Sequence, residues 1–369
     1  MQENPLIKLR GCGQSAWLDF LSKHLLDSGE LRRLIDEDGL GGVTSNPAIF
    51  EKAIADSNDY DDDTGKLSRQ GKGIQEIYET LTVADVQRAA DLFLPVFRKL
   101  EGADGFVSLE VNPHLAHDTP GTIAEARRLW GKLDRPNVLI KVPGTQEGLP
   151  AIRQLISEGI NVNVTLLFGL PRYREVAEAF LSGLEERAAR GEHLRVASVA
   201  SFFLSRIDTL VDPILKRIAG AAASLQGEVA IASAKVAYTI YRQVFGSHRF
   251  QVLKEQGGRP QRLLWASTST KNPAYTDVKY VEPLIGPETI NTMPLETLNA
   301  YRDHGKPASR LSEGADQAAA VLQRLPELGI DLNQVTQQLE DEGVEKFNQP
   351  YDKLMRSLED KARQAPAGG

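Results

Sequence analysis

Short apolar runs rich in β-branched residues alternate along this 369-residue chain with longer segments whose apolar positions recur at helical spacing. Strand-like runs fall at residues 41–45, 106–111, 137–142, 160–167, 196–203 and 263–267, with weaker ones at 15–18 and 280–284, eight in all. The helical segments between them have readable ends. Thr122-Ile123-Ala124-Glu125 has the form of a capping box, and Ile123, Ala126, Trp130 and Leu133 form the apolar side of its helix. Thr82-Val83-Ala84-Asp85 opens another, with Val86, Ala90, Phe93 and Leu100 on one side and Pro95 expected to kink it. Pro171 and Gly191 bracket a third, with Val176, Phe180 and Leu184 in its buried stripe. Strands alternating with helices predict a parallel sheet. Eight such units predict an α/β fold closed as a (β/α)8 TIM barrel with additional helices. The glycine-rich phosphate fingerprints of open sheets, GxGxxG after the first strand and GxxxxGK[ST], do not occur.

The chain reads as a single barrel domain over residues 1–345, with a helical, acidic excursion near 51–81 and extra C-terminal helices. A terminal helix and polar tail occupy 346–369, the tail from Arg363 onward expected to be disordered. The acidic cluster at 56–63 lacks the glycine and final glutamate of a calcium loop and reads as a solvated excursion. With 41% hydrophobic and 25% charged residues the composition is that of a globular protein. A net charge of -7 speaks against nucleic-acid or membrane-surface binding, so an anionic ligand would need a local basic pocket. The single Cys12 leaves no intramolecular disulfide and suits a reducing cytosol. The first residues show no signal peptide, and no apolar run approaches the ~18 residues of a membrane span. A cytoplasmic monomer or homodimer is expected.

One segment carries more chemistry than the rest. Asn137-Val138-Leu139-Ile140-Lys141-Val142-Pro143-Gly144-Thr145 is a buried-type strand with a lysine near its C-terminal end. Such a lysine either extends its head into water or, desolvated, supplies a neutral amine that attacks a carbonyl to form a Schiff base. In a barrel, reactive groups gather at the C-terminal ends of the strands. Those ends hold Asp19 after the first strand, Asn46 after the second, Glu110 on the third, Lys141 on the fourth, and Asn163 with Thr165 on the fifth. Ser201 and Arg206 lie on or after the sixth, Lys271 and Asn272 after the seventh. Singly each has a structural reading as a cap, an ion pair or a polar layer. Together they place two carboxylates, a lysine, amides and a separate basic pair at one barrel mouth.

These blocks resemble a known family. Gly42-Val43-Thr44-Ser45-Asn46-Pro47, Val107-Ser108-Leu109-Glu110-Val111, Ile140-Lys141-Val142-Pro143-Gly144-Thr145, Ile160-Asn161-Val162-Asn163-Val164-Thr165 and Thr289-Ile290-Asn291-Thr292-Met293-Pro294 look like the signature blocks of transaldolases, in the family's order and spacing. Gln14-Ser15-Ala16-Trp17-Leu18-Asp19 and the length suggest the longer single-domain bacterial subfamily. The resemblance covers residues 13–294 and says little of the chain beyond Pro294. It implies that Lys141 is the Schiff-base lysine and that Glu110, through a water held by Thr165, relays protons. Asp19 would take the proton of the C4 hydroxyl. Asn46 and Asn163 would orient the dihydroxyacetone hydroxyls, and Ser201 and Arg206 would grip the phosphate. The implied reaction needs no metal or cofactor and moves a dihydroxyacetone unit from sedoheptulose 7-phosphate or fructose 6-phosphate to an aldose phosphate of the pentose phosphate pathway. Two departures stand out. Ser201-Phe202-Phe203 replaces a Ser-Pro-Phe, with Ser205 where a glycine is usual, and Lys271 stands in place of an arginine, which keeps charge but loses the bidentate fork.

The alternatives are an aldolase of the fructose 6-phosphate type that releases free dihydroxyacetone, a non-catalytic sugar-phosphate-binding barrel, and an isomerase without an obligatory lysine. His114 and His117 come after the third strand, but no further cluster in the sequence completes a metal site.

Overall fold

The computed structural model describes residues 4–364. Eight parallel strands close into a barrel in chain order: β1 (Gln14–Leu18), β2 (Gly42–Val43), β3 (Phe106–Glu110), β4 (Val138–Pro143), β5 (Val162–Leu167), β6 (Ser198–Phe203), β7 (Arg262–Ala266) and β8 (Thr289–Met293). Closure is by β1 pairing β8, with Gln14 opposite Thr289 and Leu18 opposite Met293. Helices alternate with the strands as expected, so the fold is a (β/α)8 barrel carrying extra helices.

Strand 8 corrects the sequence reading. The apolar run at 280–284 is a turn and a short 3-10 helix, Glu282–Leu284, beneath the barrel wall. Its apolarity reflects burial of Tyr280, Val281 and Leu284 in a connection, and Pro283 has no N–H to give a ladder. The true strand reads half polar because Thr289, Asn291 and Thr292 are all buried.

Helix starts also differ. The helix with Pro95 begins at Ile74, upstream of Thr82, and continues through the proline to Lys99. The helix Thr119–Leu133 is capped by Asp118, whose carboxylate accepts from Gly121 N at 3.0 Å. Thr122, expected as the cap, lies inside the first turn and donates to Leu115 O at 2.9 Å. The helix expected from Pro171 spans Leu170–Ala189, and Gly191 beyond it has φ +70°.

The acidic cluster is not a free excursion. It leads into the helix Asp61–Arg69, where Asp63 meets Lys23 at 2.6 Å and Asp61 meets Lys361 at 2.5 Å. Lys361 belongs to a helix of 33 residues, Leu332–Gln364, which runs unbroken through residues 345 and 346. The polar tail beyond Gln364 lies outside the described residues. This C-terminal helix packs against the helices Pro47–Ala55, Ile74–Lys99 and Ser205–Ile218, the turn after β3, and β5 itself. Since these include the segments directly after β2, β3 and β6, the helix lies over the C-terminal mouth. Leu339, Val344, Phe347, Leu354 and Leu358 form its buried face. No described helix is long and apolar enough to cross a membrane.

Contact with β5 is tight at Gly343. A Cβ built there would lie 3.0 Å from Leu166 Cδ2 and 3.5 Å from the Phe168 ring. Leu166 itself has φ +60°, at a register shift between Val164 and Leu167, so the bulge and the helix hold one another. Gly343→Leu is expected to lower stability by about 1–3 kcal/mol through overpacking. Gly343→Ala should be close to neutral, because helix propensity offsets the small clash. Urea denaturation of the two variants checks this; equal stability for both would show that the helix is loosely seated.

Candidate active site

Alternation along each strand sends every second side chain into the barrel. On β1 this series is Ser15, Trp17 and, just beyond the strand, Asp19; on β3 it is Phe106, Ser108 and Glu110. Leu139 and Lys141 continue it on β4, with Asn163 and Thr165 on β5. The register sets Glu110 beside Lys141 and Lys141 beside Asn163. Three polar side chains thus lie in one row of neighbouring strands, near the C-terminal end.

Lys141 is 4% exposed, and its Nζ lies 3.3 Å from Glu110 Oε2. It donates to Ser45 O at 3.0 Å and sits 5.7 Å from the centre of the Phe347 ring. The bland alternative, a lysine reaching into water, therefore fails. Burial raises the Glu110 carboxyl to about 7; the Lys141 ammonium pulls it back, and the Asp19 charge adds a smaller upward push. Glu110 Oε1 and Thr165 Oγ1 are both buried with no hydrogen-bond partner among the described residues.

Asp19 accepts from Thr44 Oγ1 at 2.6 Å, and the same hydroxyl lies 2.7 Å from Thr292 Oγ1. Burial raises its pKa, against the opposing charges of Lys141, Arg206 and Lys271 and the bond from Thr44. These three cations come from three different strand ends. Arg206 stacks over Phe203, 5.4 Å from ring centre to guanidinium carbon, and its Nη1 is buried without a hydrogen-bond partner among the described residues. Burial lowers its pKa, while Asp19 and Glu342 oppose the shift. A desolvated guanidinium with an idle donor is suited to an incoming anion. Lys271 is exposed and donates to Ser269 Oγ at 2.6 Å. Ser205, in the glycine's place, bonds the loop after β7: its N donates to Ser267 O at 3.0 Å and the two hydroxyls lie 2.9 Å apart.

Ser201 does not join Arg206. Its hydroxyl donates to Asn163 Oδ1 at 2.7 Å, and Asn163 Nδ2 donates to Ser108 Oγ at 3.0 Å. The reason is position: Ser201 lies within β6 facing the interior, whereas Arg206 lies beyond the strand in the next helix. Asn46 uses its side-chain oxygen to cap the helix Pro47–Ala55, accepting from Ile49 N at 3.0 Å, which leaves its amide nitrogen available to a ligand. The rings of His114 and His117 are engaged by Asp352 at 2.7 Å and Glu147 at 3.0 Å.

Sequence reasoning missed several contributors. Thr44 and Ser45 stand in the same block as Asn46, and a hydroxyl pair beside a strand-end amide was an available signal. Ser108 could have been found by parity with Glu110. Phe347 had no sequence signal, since an aromatic in an amphipathic helix reads as ordinary packing.

The family model for transaldolase and fructose-6-phosphate aldolase matches residues 16–358. A transaldolase of Thiobacillus denitrificans is 51% identical over 94% of this chain and 97% of its own length. Those of Trichodesmium erythraeum and Saccharopolyspora erythraea are 47% and 46% identical, covering 98% and 97% of this chain and 99% and 97% of their own. With a family match extending from β1 into the C-terminal helix and relatives aligned over nearly their whole length, the chain belongs to the transaldolase/fructose-6-phosphate aldolase family.

Proposed function

We propose that this protein is a transaldolase that carries a dihydroxyacetone unit on Lys141 between two sugar phosphates. The observation that supports it most is a buried lysine 3.3 Å from a carboxyl whose pKa is raised to about 7. Glu110 accepts a proton as the Lys141 amine adds to the C2 carbonyl of the donor ketose phosphate, and it returns one as the carbinolamine loses water to the iminium. Thr165 Oγ1, without a partner among the described residues, is suited to hold the water that bridges this relay. Asp19 removes the C4 hydroxyl proton. The C3–C4 bond breaks, its electron pair passes into the iminium, and the aldose phosphate leaves with an aldehyde. The enamine left on Lys141 adds to the acceptor aldehyde, Asp19 returns its proton to the new alkoxide, and water releases the product ketose.

Asn46 and Asn163 orient the hydroxyls of the bound three-carbon unit, with Ser201 positioning Asn163 from behind. Arg206 and Lys271 hold the phosphate, which answers how a chain of net charge -7 binds an anion. The scheme draws on the iminium as electron sink. We place it in the cytoplasm, in keeping with its single cysteine.

Incubation with fructose 6-phosphate, reduction with borohydride and peptide mass analysis tests this reading. A three-carbon adduct on Lys141 is the expected result. An adduct on another lysine, or none, overturns it. Steady release of free dihydroxyacetone without an acceptor would instead assign the fructose 6-phosphate aldolase activity.

A further inference from the structure

The opposite end of the barrel holds a second cavity, of about 370 Å³. It opens among the N-terminal ends of the strands, and Leu139 in its floor lies one inward position below Lys141 on β4. Its floor is apolar, built from Trp17, Phe106, Leu139, Val199 and Ile290. These are the lowest inward-facing apolar residues of five strands. In most barrels this end is plugged by side chains that serve stability alone. Here the space is large enough for a ring system, and a pocket of a few hundred Å³ with an apolar floor and few polar groups is the usual form of a small-molecule site.

Three of the five charged side chains at this cavity are arginines. Arg10, Arg259 and Arg262 converge on it from the first helix, the loop before β7, and the start of β7. Among the described residues none of the three pairs with a carboxylate. Arg10 donates to Gly39 O at 3.0 Å and Arg259 to Glu101 O at 2.7 Å. Arg262 reaches Ala103 O at 3.0 Å, Ser15 Oγ at 2.8 Å and Thr289 O at 2.9 Å. Its Nε is buried with no hydrogen-bond partner among the described residues. Two carboxylates line the same cavity. Asp104 is engaged by Trp17 Nε1 at 2.8 Å, and Glu288 is exposed at the edge. Three cations against two anions leave a positive balance in a protein that is acidic overall, and guanidinium forks recognise carboxylates bidentately. Gly102 keeps the opening clear: it has φ +78°, and a Cβ there would sit 3.2 Å from the Phe97 ring and 3.6 Å from Arg259 Nη1.

We infer that this barrel-bottom cavity is a second ligand site, for a small carboxylate carrying an apolar ring, its ring on the Trp17–Ile290 floor and its carboxylate among Arg10, Arg259 and Arg262. The site is independent of the sugar-phosphate site at the other mouth.

The probe is 3-phenylpropionate, titrated calorimetrically into the full-length protein with and without saturating fructose 6-phosphate. One saturable site with a Kd at or below about 1 mM is expected, unchanged by the sugar phosphate. The neutral 3-phenylpropionamide should bind at least about 10-fold more weakly, as one lost charge-assisted contact predicts. The double variant Arg10→Gln/Arg259→Gln, checked for an unaltered thermal melt, should weaken the acid by about 10-fold or more while leaving the amide unaffected. Arg262 is spared because its backbone contacts hold β7 to its neighbours. Absence of saturable binding, equal affinity for acid and amide, no effect of the double variant, or displacement by fructose 6-phosphate would each overturn the assignment.

Discussion

Lys141→Met is expected to yield a folded protein with kcat/KM reduced on the order of 10⁴-fold or more, and with no borohydride-trapped adduct. Methionine matches the length of the lysine stem and fits beside the Phe347 ring that covers it. What is lost is the nucleophile, for which no other group in the row substitutes. The loss has two local consequences. Ser45 O loses its donor, costing about 1–3 kcal/mol at a buried acceptor. Glu110 loses the one charge that lowers its pKa, so its carboxyl becomes more strongly protonated and remains tolerable as a neutral acid. Thermal unfolding should therefore shift by a few degrees at most. A variant retaining a tenth of wild-type turnover would rule out the Schiff base and favour an isomerase or a different lysine.

Glu110→Gln addresses the proton relay. Removing a general acid-base group costs about 10²–10⁴-fold in kcat, and here the loss should carry a pH signature. The carboxyl titrates near 7. Below that value it is protonated and cannot accept the proton that the Lys141 amine gives up, so wild-type kcat/KM should rise with pH through about 7 on the acid limb. In Glu110→Gln that limb should vanish while the residual rate stays low across the range. Stability depends on the same group with the opposite sense. Its folded pKa is raised above the ordinary glutamate value of 4.5, so its stabilising contribution is full below about 4.5 and is lost as pH rises through about 7. The fall in stability across that window should be shallower in the glutamine variant. An unchanged acid limb in Glu110→Gln would assign the relay to Asp19 instead, the other inward carboxyl raised by burial.

Legibility varied with how local the signal was. The strands β3 to β7 were readable because buried parallel strands are continuous apolar runs, and Lys141, Glu110 and Asn163 stood out as polar interruptions of such runs. The last strand failed the same test for the converse reason: Thr289-Ile290-Asn291-Thr292-Met293 buries polar residues on both faces, Thr292 toward the interior and Thr289 and Asn291 beneath the surrounding connections, while the apolar run at 280–284 belongs to a buried turn. Thr122 looks like a cap in sequence because a Ser/Thr-x-x-Glu pattern inside a helix is indistinguishable there from one at its start. The pairing of Ser201 with Asn163 rather than Arg206 depends on a rotation between strand and helix that neighbouring residue numbers conceal.

Strand periodicity, the inventory of chemistry at the strand ends and the family blocks are properties of short segments, and they were settled by residue order because each depends on contacts within a few positions. Three further features depend on which distant segments meet. These are the burial that raises Glu110 to about 7, the C-terminal helix that brings Phe347 over Lys141 and Gly343 against Leu166, and the arginine-rimmed cavity beneath the barrel. Desolvation and packing are sums over neighbours from the whole chain, and only closure of the barrel assembles those neighbours.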